Sequence, residues 1–392
     1  MNALHVGIVC LHTDPFAPPG AGDVGGMNVV VRHTSVAMAA AGAKVTVFTR
    51  RSDINAKGTE VIDGVQVRRL DVGPPSVLPK QDHDDLIQPF TQALHHEDDV
   101  DLWHSHHWFS GMAALPVARE RGVAHLQSFH SIAAPATAAL SEGERPESSA
   151  RLPGELWLAQ HTDAIIAVSH AEATTTIQRL GAEPRRVLVV HPGVDAETFH
   201  PGHPPQQRLD LLAAARLEPL KAIDLAIRTV AGLTAEGPTP QLQIAGGATN
   251  DVAYVNGLHA LAAQLQVADR VQFLGPQDRE QLAALMRRSA IVLVPSHSET
   301  YGLVSLEAAA SGVPVVAAAS GGLAESVIDG VTGVLLPDWR PQTWIPAVQA
   351  LLDDPERRQQ LGAAGRNHAL SRRWDDVADA TIGIYRGFRR AP

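Results

Sequence analysis

The chain has 392 residues, 45% hydrophobic and 19% charged, with a formal net charge of −10. That length exceeds what one hydrophobic core ordinarily supports and points to about two domains. No apolar run approaches the ~18 residues a membrane span needs, and the acidic balance argues against a nucleic-acid partner, whose phosphates require clustered Lys and Arg. The single cysteine, Cys10, cannot form an intrachain disulfide, and the polar "MNA" leading straight into "LHVGIVC" shows no signal-peptide pattern. A reducing compartment, the cytoplasm, is the expected location.

In chain order, the short apolar runs "VGIVC", "KVTVFT", "VQVRRL", "DLWHSH", "AHLQSFH", "AIIAVS" and "RVLVVH" read as strands and alternate with helix-length amphipathic segments. Among them, "AAPATAALSEGERPESSARLPG", from Ala133 to Gly154, breaks the pattern and reads as a mobile loop with a marginal helix, either a surface excursion or a lid. Periodicity stops in "HPGVDAETFHPGHPPQQ" and restarts with "LDLLAAARL", "QLQIAGG", "RVQFLG", "AIVLVPS", "VPVVAAA" and "TGVLL". The alternation predicts an α/β chain of two doubly wound parallel-sheet domains, residues 1–204 and 205–373, with a last helix at about 374–392 able to pack on either. Ligands of such sheets bind beyond the carboxyl ends of the strands, so two of them facing each other predict a cleft.

Four stretches carry chemistry. In "PPGAGDVGGMN", Gly20, Gly22 and Gly25 spell G-x-G-x-x-G, yet ten positions separate Cys10 from Gly20 and the second strand ends in "TRR" rather than an acid, so the dinucleotide fingerprint is not met. The loop reads instead as backbone that approaches a ligand closely, followed by a helix from near Met27 whose free N–H groups face an anion. In "HSHH", His104 and His106 share one strand face and His107 the other, which does not converge three imidazoles on a metal. "AARLEPLKAID" puts Arg216 and Lys221 after the opening strand of the second domain, where paired cations suit a diphosphate; a solvated edge is the alternative. In "SHSETYGLVSLEAAASG", Glu299 lies in a loop and Glu307 inside the helix that ends at Gly312. Both carboxylates suit sugar hydroxyls, although Glu307 alone reads as a local cap or pair.

Together, Glu299 and Glu307 in E-x7-E, Arg216 with Lys221, "GGM" with Asn28, and "SFHS" around His130 resemble the family 4 retaining glycosyltransferases of GT-B fold, two Rossmann-like domains facing across a cleft. The resemblance covers essentially the whole chain. "HTDPFAPPGAGDVGGMNVVV", "HSHHWFSG" and "HPGVDAETFHPG" are most similar to the branch of that family that moves N-acetylglucosamine from a uridine-diphosphate sugar onto inositol phosphate. It implies a nucleotide-diphosphate-sugar donor as co-substrate, with no metal or other cofactor. Arg216 and Lys221 would bind the diphosphate, Glu299 the transferred sugar and Glu307 the ribose. Tyr301, Gly302, Leu303 and Val304 would present backbone to sugar and phosphates, Gln277 would lie beside the base, and Gly26 and His130 would come from the first domain. Catalysis would rest on His130, Arg216, Lys221 and Glu299 in a front-face reaction, the leaving phosphate taking the acceptor proton. Asn28, Lys80, His107, Ser131 and Arg151 would bind the acceptor, with Lys80, Arg151 and a protonated His107 gripping a phosphate.

The chain departs from the pattern of the branch it resembles at four places: His107 stands for a tyrosine, Ser131 for a threonine, Gln277 for an arginine and Ala215, before Arg216, for a glycine. The expected function is transfer of a hexose-type sugar, with retention, to a small polar acceptor, N-acetylglucosamine onto D-inositol 3-phosphate being the leading pair. A same-family enzyme of secondary metabolism using a UDP- or GDP-sugar and an unphosphorylated acceptor, and a nucleotide-sugar epimerase of similar fold, are the alternatives. Oligomeric state is open, a homodimer included.

Overall fold

The computed structural model describes residues 3–17, 25–202, 210–234, 240–247 and 252–389; Gly20 and Gly22 lie outside them. The chain divides into two compact units, one of Met1–Ala138, Glu144–Pro192 and Trp374–Pro392, the other of Ala139–Gly143 and Gly193–Arg373.

Among the described residues the first unit's sheet has eight strands: β1 His5–Cys10, β2 Lys44–Arg50, β3 Thr59–Ile62, β4 Val65–Leu70, β5 Leu102–His106, β6 Ala124–Ser128, β7 Ala164–Ala167 and β8 Val187–Val189. Their order is β3-β4-β2-β1-β5-β6-β7-β8, parallel throughout except that β3 runs against β4. The sequence reading does not contain β3, a four-residue edge strand whose Val61 is exposed; its Asp63-Gly64 turn, with φ of 49° and 81°, is the one local signal for that hairpin. Helices cover both faces, so the central strands are buried continuously rather than alternately. Phe48, Phe90, Trp103 and Phe109 fill one side. On the other, Val6, Ile8, Val31 and Met38 meet the last helix, Trp374–Phe388, whose Ala378, Ile382 and Tyr385 recur at helical spacing and are all buried. That helix packs along helix Gly26–Ala40.

The second unit's strands, β9 Leu211–Ala214, β10 Leu242–Ala245, β11 Val271–Gly275, β12 Ile291–Val294, β13 Val315–Ala318 and β14 Gly333–Leu336, form a parallel sheet in the order β11-β10-β9-β12-β13-β14. The division between units falls at Pro192 and Gly193 rather than at 204. The Pro- and His-rich stretch is built into the second unit: Val194 N–H donates to the Arg372 carbonyl at 2.8 Å, Arg366 Nη1 to the Phe199 carbonyl at 2.8 Å, and Phe199 is fully buried.

The 133–154 segment is tied down, in place of the mobile loop its composition suggests. Ala134 N–H donates to the Glu144 carbonyl at 2.9 Å, and helix Arg151–His161 begins inside the segment with Arg151 wholly buried. Among the described residues no helix is long and apolar enough to cross a membrane.

In each sheet the winding reverses once, between β1 and β5 and between β9 and β12. Loops leaving adjacent strands there diverge to opposite faces and open a crevice at the carboxyl ends. Those four loops carry Thr13, His107, Arg216 and Glu299.

Candidate functional site

In the second unit, two backbone bonds bring the loops after β9 and β12 together: His297 N–H donates to the Leu220 carbonyl at 2.8 Å, and Gly322 N–H to the Glu299 carbonyl at 2.8 Å. Gly321 and Gly322 are required for this approach, since a Cβ on either would stand 2.2 Å from a carbonyl oxygen of Glu299 or Thr300. Pro219–Lys221 forms a single tight turn, and Ala222 takes φ of 48° before helix Ile223–Gly232 begins. Lys221 Nζ is thereby set 2.8 Å from Glu299 Oε1, which also accepts from Ser296 Oγ at 2.9 Å. Arg216 lies on the same loop, 3.1 Å from Glu218.

Gly302 ends the β12 loop at φ 97°, and helix Leu303–Ala310 follows. The first amides of a helix lack an intrahelical acceptor and carry its positive dipole end, so Leu303 and Val304 present N–H groups suited to an anion. Tyr301 is buried. Glu307, 6% exposed, pairs with Arg279 at 3.0 Å; burial raises its pKa, partly offset by the guanidinium. The Gln277 amide is folded back onto the Leu274 and Pro276 carbonyls, each at 3.0 Å. Lys221, Glu299, the Gly302 turn and Glu307 thus belong to one sheet edge. Arg279 and Ser296 escape the sequence reading, because a guanidinium or hydroxyl in a polar loop has no distinctive spacing.

In the first unit, helix Gly26–Ala40 starts at Gly26, and Asn28 in its first turn is buried with its amide donating to Thr13 Oγ1 at 2.8 Å. His107 and His130, at the ends of β5 and β6, have φ of 68° and 60°, a left-handed backbone that non-glycine residues seldom adopt and that clusters at functional sites. Glu172 supports His130: its buried carboxylate, pushed up to about 7 by burial, accepts the Val168 and His130 amides.

The imidazoles of "HSHH" divide two and one: the His104 and His106 rings lie 4.3 Å apart between centroids, and His107 packs elsewhere. His104 bonds Tyr385 Oη at 2.6 Å and Ser128 Oγ at 3.0 Å, while His106 Nδ1 lies 2.7 Å from His130 Nε2. His107 is buried beside the His12 ring, with 4.5 Å between centroids. Burial, then His12, Lys80 and Arg151, hold His107 well below the usual imidazole range, so it is neutral at pH 7 and not the protonated phosphate ligand expected. Burial pushes His130 down to about 3 as well, which makes it a hydrogen-bond partner and not a charge.

Lys80, Ser131 and Arg151 converge on Glu144, at 3.1, 2.7 and 3.3 Å. Arg151 also binds Glu147 at 2.6 Å and Glu155 at 2.7 Å. Against the burial that opposes its charge, these carboxylates hold the guanidinium firmly protonated.

Comparison with known proteins agrees with this geometry. The description "Glycosyl transferases group 1" matches residues 195–368 and "Glycosyltransferase Family 4" matches residues 24–198. A D-inositol 3-phosphate glycosyltransferase of Kineococcus radiotolerans is 38% identical, covering 97% of this chain and 94% of the relative. Among solved structures, a sucrose-phosphate synthase from Thermosynechococcus elongatus superposes with a TM-score of 0.87 at 28% identity, covering 98% of each chain. The catalytic domain of Arabidopsis thaliana starch synthase IV, bound to ADP and acarbose, superposes at 0.77 with 16% identity over 100% of both, a likeness of fold. With two parallel-sheet Rossmann-like units and a near-full-length relative at this identity, the chain belongs to the family 4 glycosyltransferases of GT-B fold.

Proposed function

We propose that this chain transfers a hexose-type sugar, with retention of anomeric configuration, from a nucleotide-diphosphate sugar to a small cyclitol acceptor. The observation that carries the reading is the second unit's edge, where Lys221, Arg216 and the start of helix Leu303–Ala310 supply positive potential beside the carboxylate of Glu299. A diphosphate suits the cations and helix end; a hexose suits Glu299 and the backbone at Tyr301 and Gly302. Glu307 accepts ribose hydroxyls.

The step is a front-face displacement. The bond from the anomeric carbon to the phosphate oxygen breaks as the bond to the acceptor oxygen forms on the same side. The acceptor proton passes to the leaving phosphate oxygen, and a nucleoside diphosphate departs. Lys221 and Arg216 offset the charge that grows on it, in place of a metal ion. Neutral His130 is a hydrogen-bond partner for a sugar hydroxyl. The first unit, with Asn28, His107 and Ser131, takes the acceptor.

The relatives' name, D-inositol 3-phosphate glycosyltransferase, makes that ester and its parent inositol the first acceptors to try, with UDP-N-acetylglucosamine, the donor implied by the sequence resemblance. Incubation of the purified chain with these, without added metal, and mass spectrometry of the mixture tests the reading. A product heavier than the acceptor by one sugar residue supports transfer. An isomer of the donor formed without acceptor would indicate an epimerase instead.

A further inference from the structure

The polar end of the first unit holds more carboxylates than a phosphate site tolerates. Three of the side chains expected to grip the acceptor meet on Glu144: Lys80 at 3.1 Å, Ser131 at 2.7 Å and Arg151 at 3.3 Å. Arg151 is 0% exposed and its five N–H donors are all engaged. Nε donates to Glu155, Nη1 to Glu144 and Glu147, and Nη2 to the carbonyl and hydroxyl of Ser131. It shapes the site and offers nothing further to a ligand.

Charge points the same way. Lys80 and Arg151 face Glu144, Glu147 and Glu155, two cations against three carboxylates. A phosphate brings about −1.5 to −2 charges at neutral pH and would have to evict Glu144, then rely on Lys80 alone, because Glu147 and Glu155 already neutralise the arginine. A hydroxyl both donates and accepts, so it can bond Glu144 and Lys80 without disturbing either. Lys80 and Glu144 remain reachable, with side chains 21% and 20% exposed.

An independent observation marks the place as a ligand site. His107 is 3% exposed, and neither ring nitrogen has a hydrogen-bond partner among the described residues. A buried imidazole left unpaired costs free energy that a ligand recovers, and a neutral imidazole offers one donor and one acceptor. Two neighbouring hydroxyls match that pair.

We infer that Glu144 is a specificity-determining residue that occupies the position of an acceptor phosphate, so that the acceptor is an unphosphorylated cyclitol whose hydroxyls meet Glu144, Lys80 and His107. The inference rests on the transferase reading above.

The test measures binding of inositol and of D-inositol 3-phosphate by calorimetry, and their turnover with UDP-N-acetylglucosamine, for the intact chain, Glu144→Gln and Glu144→Ala. Glu144→Gln removes the charge and keeps the shape; Glu144→Ala vacates the place; circular dichroism checks that both fold. The expected result is that the unmodified chain favours inositol at least ~10-fold and that both variants bind the phosphate ester at least ~10-fold more tightly than it does, a change of about 1.4 kcal/mol or more. Preference of the unmodified chain for the phosphate ester, or a phosphate-ester affinity that neither variant changes, overturns the inference. Should no sugar be transferred to either compound, the transferase reading with this pair fails, while the binding ratios still decide the role of Glu144.

Discussion

Lys221 Nζ lies 2.8 Å from Glu299 Oε1, although 78 positions separate them in the chain. The pair joins the loops after β9 and β12, the two strands between which the second sheet reverses its winding. Each side chain neutralises the other. A bound sugar diphosphate would draw the ammonium to phosphate and leave the carboxylate for sugar hydroxyls.

Replacing either member should therefore cost activity more than stability. The side chains, 12% and 21% exposed, form an ion pair in loops at the sheet edge and belong to no apolar core. Removing a preorganised group that meets the leaving phosphate, as Lys221 would, or the transferred sugar, as Glu299 would, costs about 10²- to 10³-fold in rate. Lys221→Ala and Glu299→Ala should each lower kcat/KM by that order in a coupled nucleoside-diphosphate assay, with melting temperatures close to that of the unmodified chain.

In the proposed reaction Glu307 serves binding rather than chemistry; it lies inside helix Leu303–Ala310 and pairs with Arg279 at 3.0 Å. Glu307→Gln should raise the KM for the nucleotide sugar roughly 10-fold and leave kcat within about twofold, the pattern of lost uniform binding. Steady-state kinetics with the donor varied separates this from a catalytic loss.

Gly322 has no chemistry of its own, yet a Cβ there would stand 2.2 Å from the Thr300 carbonyl oxygen and 2.6 Å from Tyr301 Cα. Gly322→Ala should destabilise the chain by ~1–3 kcal/mol through overpacking and, by pushing the Glu299 loop outward, lower activity as well. Thermal unfolding and the same kinetic assay report the two effects separately.

Acid should destabilise the first unit. Burial holds His12, His104, His106 and His107 well below the ordinary 6.5, and His125 and His130 at about 3. With folded values below the unfolded one, the unfolded chain binds more protons between those limits, so stability is full above pH 6.5 and is lost as pH falls toward 3. Glu172, raised to about 7, and Glu155 and Asp84, also raised by burial, have the opposite slope, but they are three groups against these six histidines and the likewise lowered His5 and His83. The melting temperature should drop by about 10 °C or more between about pH 7.5 and pH 5, given that ~1 kcal/mol moves the midpoint by roughly 2–4 °C at this domain size. A flat profile over that range would contradict the buried, neutral histidines.

The sequence made the second unit's site more legible than the first's. Glu299, Lys221 and Arg216 follow strands of unbroken apolar character, and a doubly wound sheet sends such residues to its carboxyl edge whatever the helices do. Strand alternation likewise predicts both sheets, apart from the short edge strand β3. Glu144 and Glu147 were hidden in a stretch rich in Ala, Ser and Pro whose composition suggests mobility. What fastens that stretch is the buried Arg151, and no periodicity signals a pairing across the 131–155 region. The left-handed backbone of His107 and His130 was also hidden, since tertiary contacts such as the Glu172 carboxylate, and not local preference, hold it.

The anomeric configuration of the product bears most directly on the proposed reaction. UDP-N-acetylglucosamine carries an α linkage, and the glycoside isolated from its reaction with inositol, read by proton NMR, should be α as well, with Glu299→Ala making it at a rate lower by two orders or more. A β-linked product would replace front-face transfer with inversion. Equal rates for Glu299→Ala and the unmodified chain would remove the second unit's edge from the reaction altogether.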